Sequence, residues 1–375
     1  MSNGINIALI GQRFMGRAHT NAYRQVRAFF DPPLIPRLQL VCGRNEEGLR
    51  DFASRFGWEE FSINWRDAIT RDDIDLIDIC ATNDLHAEIT IAAAQAGKAI
   101  FCEKPLGRDL AEAKRMLAAV EESKIPHMVC FNNRFFPAIR LAKKLIDGGA
   151  IGEVRQFHAL YLQDWGLDPR VPFTWRFDKE KAGSGALGDT AVHITDLARF
   201  LVGEITEVVG DMATFVDKRP LPNGSGIGRV TVDDAAAFLA RFENGARGVF
   251  ETTRMATGRK NFMHIEVNGT KGSIYWNPED LNVLWLYSVD DPKETCGLRR
   301  ILVTEPEHPY VNAWWPPGHI LGYEHSFVHA VYELLTAIAE GRNPEPSFYD
   351  GVRAQAVLEA VARSVETRAW VPVEG

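Results

Sequence analysis

A lysine framed by a carboxylate and a proline, Glu103-Lys104-Pro105, stands where the apolar run Lys98-Ala99-Ile100-Phe101-Cys102 stops. That run reads as a buried strand, so the three residues sit at its carboxyl end, the edge where open parallel sheets bind ligands. A lysine there does little for a fold and can hydrogen-bond a reacting hydroxyl. The Lys104–Pro105 peptide is expected in cis, because only an X–Pro bond adopts cis cheaply. A second set lies further along: Gly183-Ser184-Gly185-Ala186-Leu187-Gly188-Asp189, then His193. The glycines allow close backbone approach at the entrance of a helix. The four-residue spacing puts Asp189 and His193 on one helical face. Alone, the pair reads equally as a helix cap and a core histidine. Taken with Lys104, they form a carboxylate, imidazole and ammonium set suited to moving a hydroxyl proton near neutral pH.

A third pattern says what such a set would serve. Directly after the first apolar run comes Gly11-Gln12-Arg13-Phe14-Met15-Gly16, followed by a helical pattern. It approximates the G-x-G-x-x-G turn that receives a pyrophosphate at a helix N-terminus. Arg13 replaces the second glycine, putting a Cβ toward the anion site and offering a guanidinium for phosphate. The plainer reading is an ordinary strand–helix turn. After the second strand, where an acid would serve the ribose hydroxyls of NAD, stand Cys42-Gly43-Arg44-Asn45. Arg44 suits a 2′-phosphate, stacks on adenine, or is a solvated loop residue, so the cofactor reads as NAD or NADP with a slight lean to NADP. The loop Ala81-Thr82-Asn83-Asp84-Leu85-His86 offers Thr82 and Asn83 as cofactor contacts or as caps of a helix starting near His86. Hydride transfer from an alcohol to a nicotinamide needs such a cofactor site together with a proton acceptor.

These groups need elements to position them. The first part of the chain alternates continuous apolar runs over 5–10, 38–42, 76–80, 99–102 and 128–131 with helical patterns over 18–29, 46–56, 86–96 and 110–122. Such β–α repeats give a doubly wound parallel sheet covered on both faces. The Pro-rich segment 31–36 reads as a surface loop. After a helix at 137–147, period-two alternation appears over 153–163, 206–215, 233–242, 246–255, 262–268 and 272–276. That pattern marks a sheet with one face on a core. Helices are expected at 189–201, 323–340 and 349–368.

At 375 residues, two domains are expected. Hydrophobic and charged contents of 46% and 25% fit a soluble globular chain. A net charge of −8 argues against a nucleic-acid partner. No apolar stretch approaches the roughly 18 residues that span a bilayer, and the N-terminus lacks a basic then apolar leader, so a cytoplasmic location is expected. The five cysteines are odd in number and show no C-x-x-C spacing. They read as reduced, packed thiols rather than a metal or disulfide framework.

Together, Gly11 and Gly16, Asn83 and His86, Glu103-Lys104-Pro105, and Asp189 with His193 resemble the Gfo/Idh/MocA oxidoreductases over essentially the full length. The resemblance implies an α/β fold: a Rossmann NAD(P)-binding domain over 1–131, then an α/β domain over 132–375 with a large open, mostly antiparallel sheet. The last helix is expected to pack back on the first domain. The exposed sheet face implies a homodimer or homotetramer. Tyr161-Leu162-Gln163-Asp164-Trp165, Trp175-Arg176-Phe177 and Ala182 through Asp189 are similar to the levoglucosan dehydrogenase-like branch, which oxidises the C3 hydroxyl of sugars or anhydrosugars. By that likeness Lys104 hydrogen-bonds the reacting hydroxyl, His193 is the general base and Asp189 orients the neighbouring hydroxyl. Asn133, Gln163, Trp165 and Arg176 are the expected carbohydrate contacts. Gly11, Arg13, Phe14, Met15, Gly43, Arg44, Thr82, Asn83, His86, Glu103 and Lys104 are the expected cofactor contacts. Relatives usually carry Tyr at the position of Asn133 and Pro at that of Thr82. Trp165, Trp175 and the loop Trp314-Trp315-Pro316-Pro317-Gly318-His319 either stack on a sugar's apolar face or pack. The family also contains glycosidases that use a retained NAD, and a non-catalytic cofactor-binding regulator is a further alternative.

Overall fold

A computed structural model describes residues 3–374. They form two compact units, one from the stretch up to Asn132 plus Tyr323–Val352, the other from Asn133–Gly322 plus the stretch from Arg353 onward. The segment 323–352, read from sequence as part of the second domain, thus belongs to the first unit.

In the first unit the order is β1 (Gly4–Ile10), α1 (Phe14–Phe29), β2 (Ile35–Cys42), α2 (Glu46–Phe56), β3 (Glu60–Ser62), α3 (Arg66–Thr70), β4 (Leu76–Ile79), α4 (Asn83–Gln95), β5 (Ala99–Cys102), α5 (Leu110–Ser123) and β6 (His127–Val129). All six strands are parallel, in the order β3-β2-β1-β4-β5-β6. The strands β1, β4 and β5 are buried along nearly their whole length, as helices on both faces require. The order reverses between β1 and β4, and that switch point opens the crevice at the strands' carboxyl ends. Asn45 caps α2 by accepting from Gly48 N at 2.6 Å, and Gly57 ends that helix in the left-handed region. Two local expectations change. The Pro-rich loop enters the sheet at Ile35, and α4 begins at Asn83, three residues early, with Thr82 at its N-cap and no side-chain cap bond. The short strand β3 carried no periodic signal.

The second unit contains α6 (Pro137–Asp147), β7 (Val154–Leu162), α7 (Lys179–Ala182) and α8 (Val192–Leu201). Then come β8 (Ile205–Ala213), β9 (Lys218–Pro220), β10 (Ile227–Arg229), β11 (Ala235–Phe242), β12 (Arg247–Thr253), β13 (Phe262–Gly269), β14 (Gly272–Trp276), β15 (Val283–Ser288) and β16 (Arg299–Leu302). The chain closes with α9 (His325–Ala339), which packs on α1 in the first unit, then α10 (Phe348–Thr367) and β17 (Val371–Pro372). The nine-stranded sheet runs β16-β15-β14-β13-β7-β12-β11-β8-β17. Its described neighbours are antiparallel except β7 and β12, which run parallel with Leu162 opposite Thr253. Residues alternate between buried and exposed along β11 and β12, matching the period-two pattern. All five cysteines are free, and no described helix is long and apolar enough to cross a membrane.

Candidate active site

The dinucleotide turn leaves β1 through Gly11, at φ +119°, a region that favours glycine. A Cβ on Gly11 would lie 2.3 Å from the Cys80 carbonyl oxygen, and one on Gly16 would lie 1.9 Å from the Gly11 carbonyl oxygen. Both glycines are therefore demanded by backbone packing. The first turn of α1 holds no acidic residue, and the N-cap Arg13 makes no side-chain cap bond. Free N–H groups and the positive end of the helix dipole suit a pyrophosphate there, so these residues fit a dinucleotide. Arg13 and Phe14 are exposed, Met15 is half-buried, and the Phe14 ring stacks on Tyr323 with centroids 6.3 Å apart. At the end of β2, a Cβ on Gly43 would meet Gln12 Oε1 at 2.4 Å, so the Gln12 side chain lies across that loop. Arg44 is exposed beside it.

At the end of β4, Asn83 is buried in the first turn of α4. His86 is buried too, with Nδ1 3.0 Å from the Pro105 carbonyl and Nε2 3.3 Å from the Ala81 carbonyl. Burial pushes its pKa down, and the ring sits between two loops, able when neutral to donate to one of the two carbonyls.

Lys104 follows β5 and is half-buried among buried neighbours, and its peptide to Pro105 is cis. Glu103 turns inward. One carboxylate oxygen lies 3.0 Å from His19 Nε2 and the other accepts from Lys104 N at 3.2 Å. On the far side of the ring, His19 Nδ1 lies 2.9 Å from both oxygens of Asp78, and Tyr23 donates its hydroxyl to Asp78 at 2.9 Å. Burial alone would lower the His19 pKa, but the Asp78 charge raises it well above the ordinary value. Burial likewise pushes Glu103 up, and the His19 hydrogen bond with the His19 and Lys104 charges brings it below the ordinary carboxyl range. The cluster is thus a buried imidazolium donating to two carboxylates. It ties α1, β4 and β5 together beneath the expected cofactor edge.

In the second unit the Gly183–Asp189 run enters a π turn, Leu187–Ala191, that continues into α8. Such turns recur at functional sites. His193 lies buried in the first turn of α8, and Asp189 lies in the π turn, so it does not cap the helix as the plainer reading has it. Asp233 does that, accepting from Gly185 N at 2.6 Å and Leu187 N at 2.8 Å. A Cβ on Gly185 would fall 1.7 Å from the Asp233 carbonyl oxygen, so the loop must approach that backbone as glycine. The Tyr161 ring packs against His193, centroids 5.9 Å apart, and its hydroxyl donates to Asn261 Oδ1 at 2.8 Å. Burial, then the Asp189 charge, raises the Tyr161 pKa. Gln163 donates to the same Asn261 oxygen at 2.9 Å, and Trp165 donates to Gln163 at 2.9 Å. Arg254 lies 5.0 Å from the Trp165 ring centre and 3.4 Å from Asp189 Oδ2. Gln163 and Arg254 continue β7 and β12, so this network sits at the carboxyl edge of the parallel pair.

A description of the oxidoreductase family with an NAD-binding Rossmann fold matches residues 5–131, and one of the GFO/IDH/MocA C-terminal domain matches 139–275. The chain belongs to the Gfo/Idh/MocA oxidoreductases. It is 43% identical over 383 residues to levoglucosan dehydrogenase of Pseudarthrobacter phenanthrenivorans, covering 98% of each chain. Among solved structures, an oxidoreductase domain protein from Kribbella flavida superposes with TM-score 0.96 at 53% identity over 100% of both chains. A levoglucosan dehydrogenase complex with NADH and levoglucosan gives TM-score 0.96 at 43% identity over 99% of both. This Gfo/Idh/MocA member is therefore an NAD-binding enzyme of the sugar and polyol dehydrogenases, acting on CH–OH groups. The comparisons lend no support to the NADP lean drawn from Arg44.

Within the first unit, Gly11 through Gly16, Gly43, Arg44, Thr82, Asn83, Glu103 and Lys104 all lie at the carboxyl ends of the adjacent strands β2, β1, β4 and β5. Within the second, Gln163, Trp165, Asp189 and His193 are joined by Tyr161, Asn261 and Arg254. Arg176 is exposed, stacked on Trp175 at 4.4 Å, and its carbonyl accepts from Arg254. Asn133 is buried in the short turn Asn132–Phe135 and is not part of that network among the described residues. Trp314 is buried and Trp315 exposed. His19, Asp78, Tyr23, Tyr161, Asp233 and Arg254 were absent from the sequence-based site; each acts on partners dozens of residues away.

Proposed function

We propose that the chain oxidises a ring hydroxyl of an anhydrosugar or related sugar, at C3, with NAD. Support comes from the helical Asp189–His193 turn at the β7–β12 edge, in a chain matching a levoglucosan dehydrogenase end to end. Gly11, Arg13, Phe14, Met15, Gly43, Arg44, Thr82, Asn83, His86, Glu103 and Lys104 would hold the dinucleotide. When bound, the oxidised nicotinamide supplies the hydride acceptor. His193 takes the proton of the reacting hydroxyl. Lys104 donates a hydrogen bond to that oxygen as negative charge builds on it. Asp189 accepts from the neighbouring hydroxyl and fixes the ring, with Gln163, Trp165, Arg176 and Asn133 as further contacts. Positioned proton transfer of this kind contributes about 10²–10⁴ in rate.

Absorbance at 340 nm with levoglucosan, other anhydrosugars, aldoses and inositols, each with NAD and with NADP, tests the reading. NADH formation with an anhydrosugar and a 3-keto product by NMR is the expected result. Glycoside cleavage without net NADH would assign the chain to the glycosidases instead. Cofactor binding with no turnover of any compound would leave only the regulator reading.

A further inference from the structure

We propose that Arg254 is a positioning residue that sets the substrate wall of the second unit, holding Asp189 and the main chain at Arg176 through one buried guanidinium. The inference rests on the reading above, in which Asp189 and Arg176 face the carbohydrate.

Arg254 follows β12, and its own main chain is fixed on both sides: its N donates to the Asp234 carbonyl at 3.0 Å, and its carbonyl accepts from Gly166 N at 3.1 Å. The side chain is 1% exposed. One terminal nitrogen lies 3.4 Å from Asp189 Oδ2, and the other donates to the Arg176 carbonyl at 3.2 Å. The flat face covers the Trp165 indole, whose N–H fixes Gln163. Behind the indole the packing continues to Phe177, centroids 5.6 Å apart, and then to a second buried guanidinium, Arg219, 4.2 Å over the Phe177 ring. Arg219 is anchored on the Gly166 and Asp168 carbonyls at 2.5 and 2.8 Å. Three groups expected to touch the sugar, Asp189, Arg176 and Trp165, therefore meet at one side chain.

What sets this pair apart is its place: the open carboxylate, Asp189, lies in the helical turn that carries His193. A buried cation is costly unless paired. Arg134 and Asp196 bury both partners, whereas Arg199 and Glu204 leave the carboxylate partly open. Here the cation is sealed and the carboxylate is 28% exposed. Arg254 thus pins an accessible carboxylate from behind and leaves its open side to accept a hydroxyl. The planar fork supplies two fixed donors, which an ammonium does not reproduce.

The test uses the full chain carrying Arg254→Met, Arg254→Lys and Asp189→Asn. For Arg254→Met, KM for levoglucosan should rise at least tenfold while kcat falls less, with the NADH dissociation constant within twofold of wild type. Guanidinium chloride at tens of millimolar should restore several-fold of the lost kcat/KM in that variant and none in wild type. Arg254→Lys should recover part of the loss, and it carries the same comparison where the Met variant does not fold. A folded Arg254→Met protein with kcat/KM within threefold of wild type overturns the proposal, as does failure of guanidinium to rescue. A double-mutant cycle on thermal unfolding with Asp189→Asn needs no substrate: non-additive shifts support the coupling, and additive ones overturn it. Wild type that reduces NAD with none of the sugars instead refutes the function reading, and the unfolding cycle still decides on Arg254.

Discussion

Replacing His19 by glutamine probes the buried imidazolium on which Glu103 leans. Glutamine keeps a polar side chain of similar reach but carries no charge, so Asp78 and Glu103 lose their shared cation. Removing one partner of a buried ion pair costs about 3–5 kcal/mol. Because the His19 pKa is raised in the folded state, its stabilisation is fully present below the unfolded value near 6.5 and is lost as pH rises toward the folded one. Between pH 6.5 and 8.0 the unfolded chain releases this proton while the folded chain keeps it. By linkage that removes about 1.7 kcal/mol. The destabilisation by His19→Gln should accordingly shrink from about 3–5 kcal/mol at pH 6.5 to about 1.3–3.3 kcal/mol at pH 8.0. His86, His127 and His308 have lowered pKa values. Their contributions grow as pH rises toward 6.5 and are level above it, so they leave this window clear. Urea unfolding of both proteins at the two pH values, with hydrogen exchange in β4 and β5 reporting the first unit, measures the difference. A cost for His19→Gln that is equal at pH 6.5 and 8.0 would refute the charged-histidine assignment.

Lys104→Ala and His193→Ala should each lower kcat by about 10²–10⁴, with NADH affinity, read by fluorescence titration, near wild type in His193→Ala and weakened in Lys104→Ala; near-normal turnover in both variants sinks their proposed roles. Gly11→Ala puts a Cβ 2.3 Å from the Cys80 carbonyl at a positive φ, so NADH binding should weaken at least tenfold, and calorimetry showing wild-type affinity would contradict the cradle. Asp233→Ala leaves the Gly185 and Leu187 N–H groups without their acceptor, at about 1–3 kcal/mol. It should lower turnover through Asp189 without changing NADH affinity, and a variant as stable and active as wild type would count against this cap.

The parallel sheet was legible because strands covered on both faces read as unbroken apolar runs, and the dinucleotide turn because both glycines are needed within six residues of chain. The second sheet was legible strand by strand through its alternation. Its one described parallel contact, β7 with β12, was not, since period two does not encode strand direction. The same limit governed the site. Lys104, Asp189 and His193 stand in short motifs whose spacing carries a meaning. Their supports do not: His19 meets Asp78 across 59 residues and Glu103 across 84, Asp233 caps Gly185 across 48, and Arg254 reaches Asp189 across 65. His19 lay inside a helical pattern as one more inward position, and Asp233 and Arg254 lay inside the alternating runs 233–242 and 246–255 as ordinary polar residues. Asp189 shows the consequence. Its place after a glycine run allowed a cap, and only the distant Asp233 carboxylate reveals that the cap is already supplied.

The charges around the end of β5 narrow which groups are able to move a hydroxyl proton. Glu103 is held ionised by His19 and Lys104, and both its oxygens already accept hydrogen bonds. His19 keeps both ring protons and has no lone pair to offer. Cys80 and Cys102 are pushed up by burial, and Cys130 to about 12, so none is a thiolate near neutral pH. His86 is neutral, with its nitrogens against two carbonyls. Among the titratable groups clustered at that edge, Lys104 is half-buried and its charge acts on Glu103. An ammonium donates readily and accepts only once deprotonated, so it suits the hydroxyl oxygen better than the hydroxyl proton. A base must then come from outside the first unit's cluster, and His193 is the imidazole that our reading assigns to it. On that reading Glu103 sets the strand end from which Lys104 projects and takes no part in the proton's path.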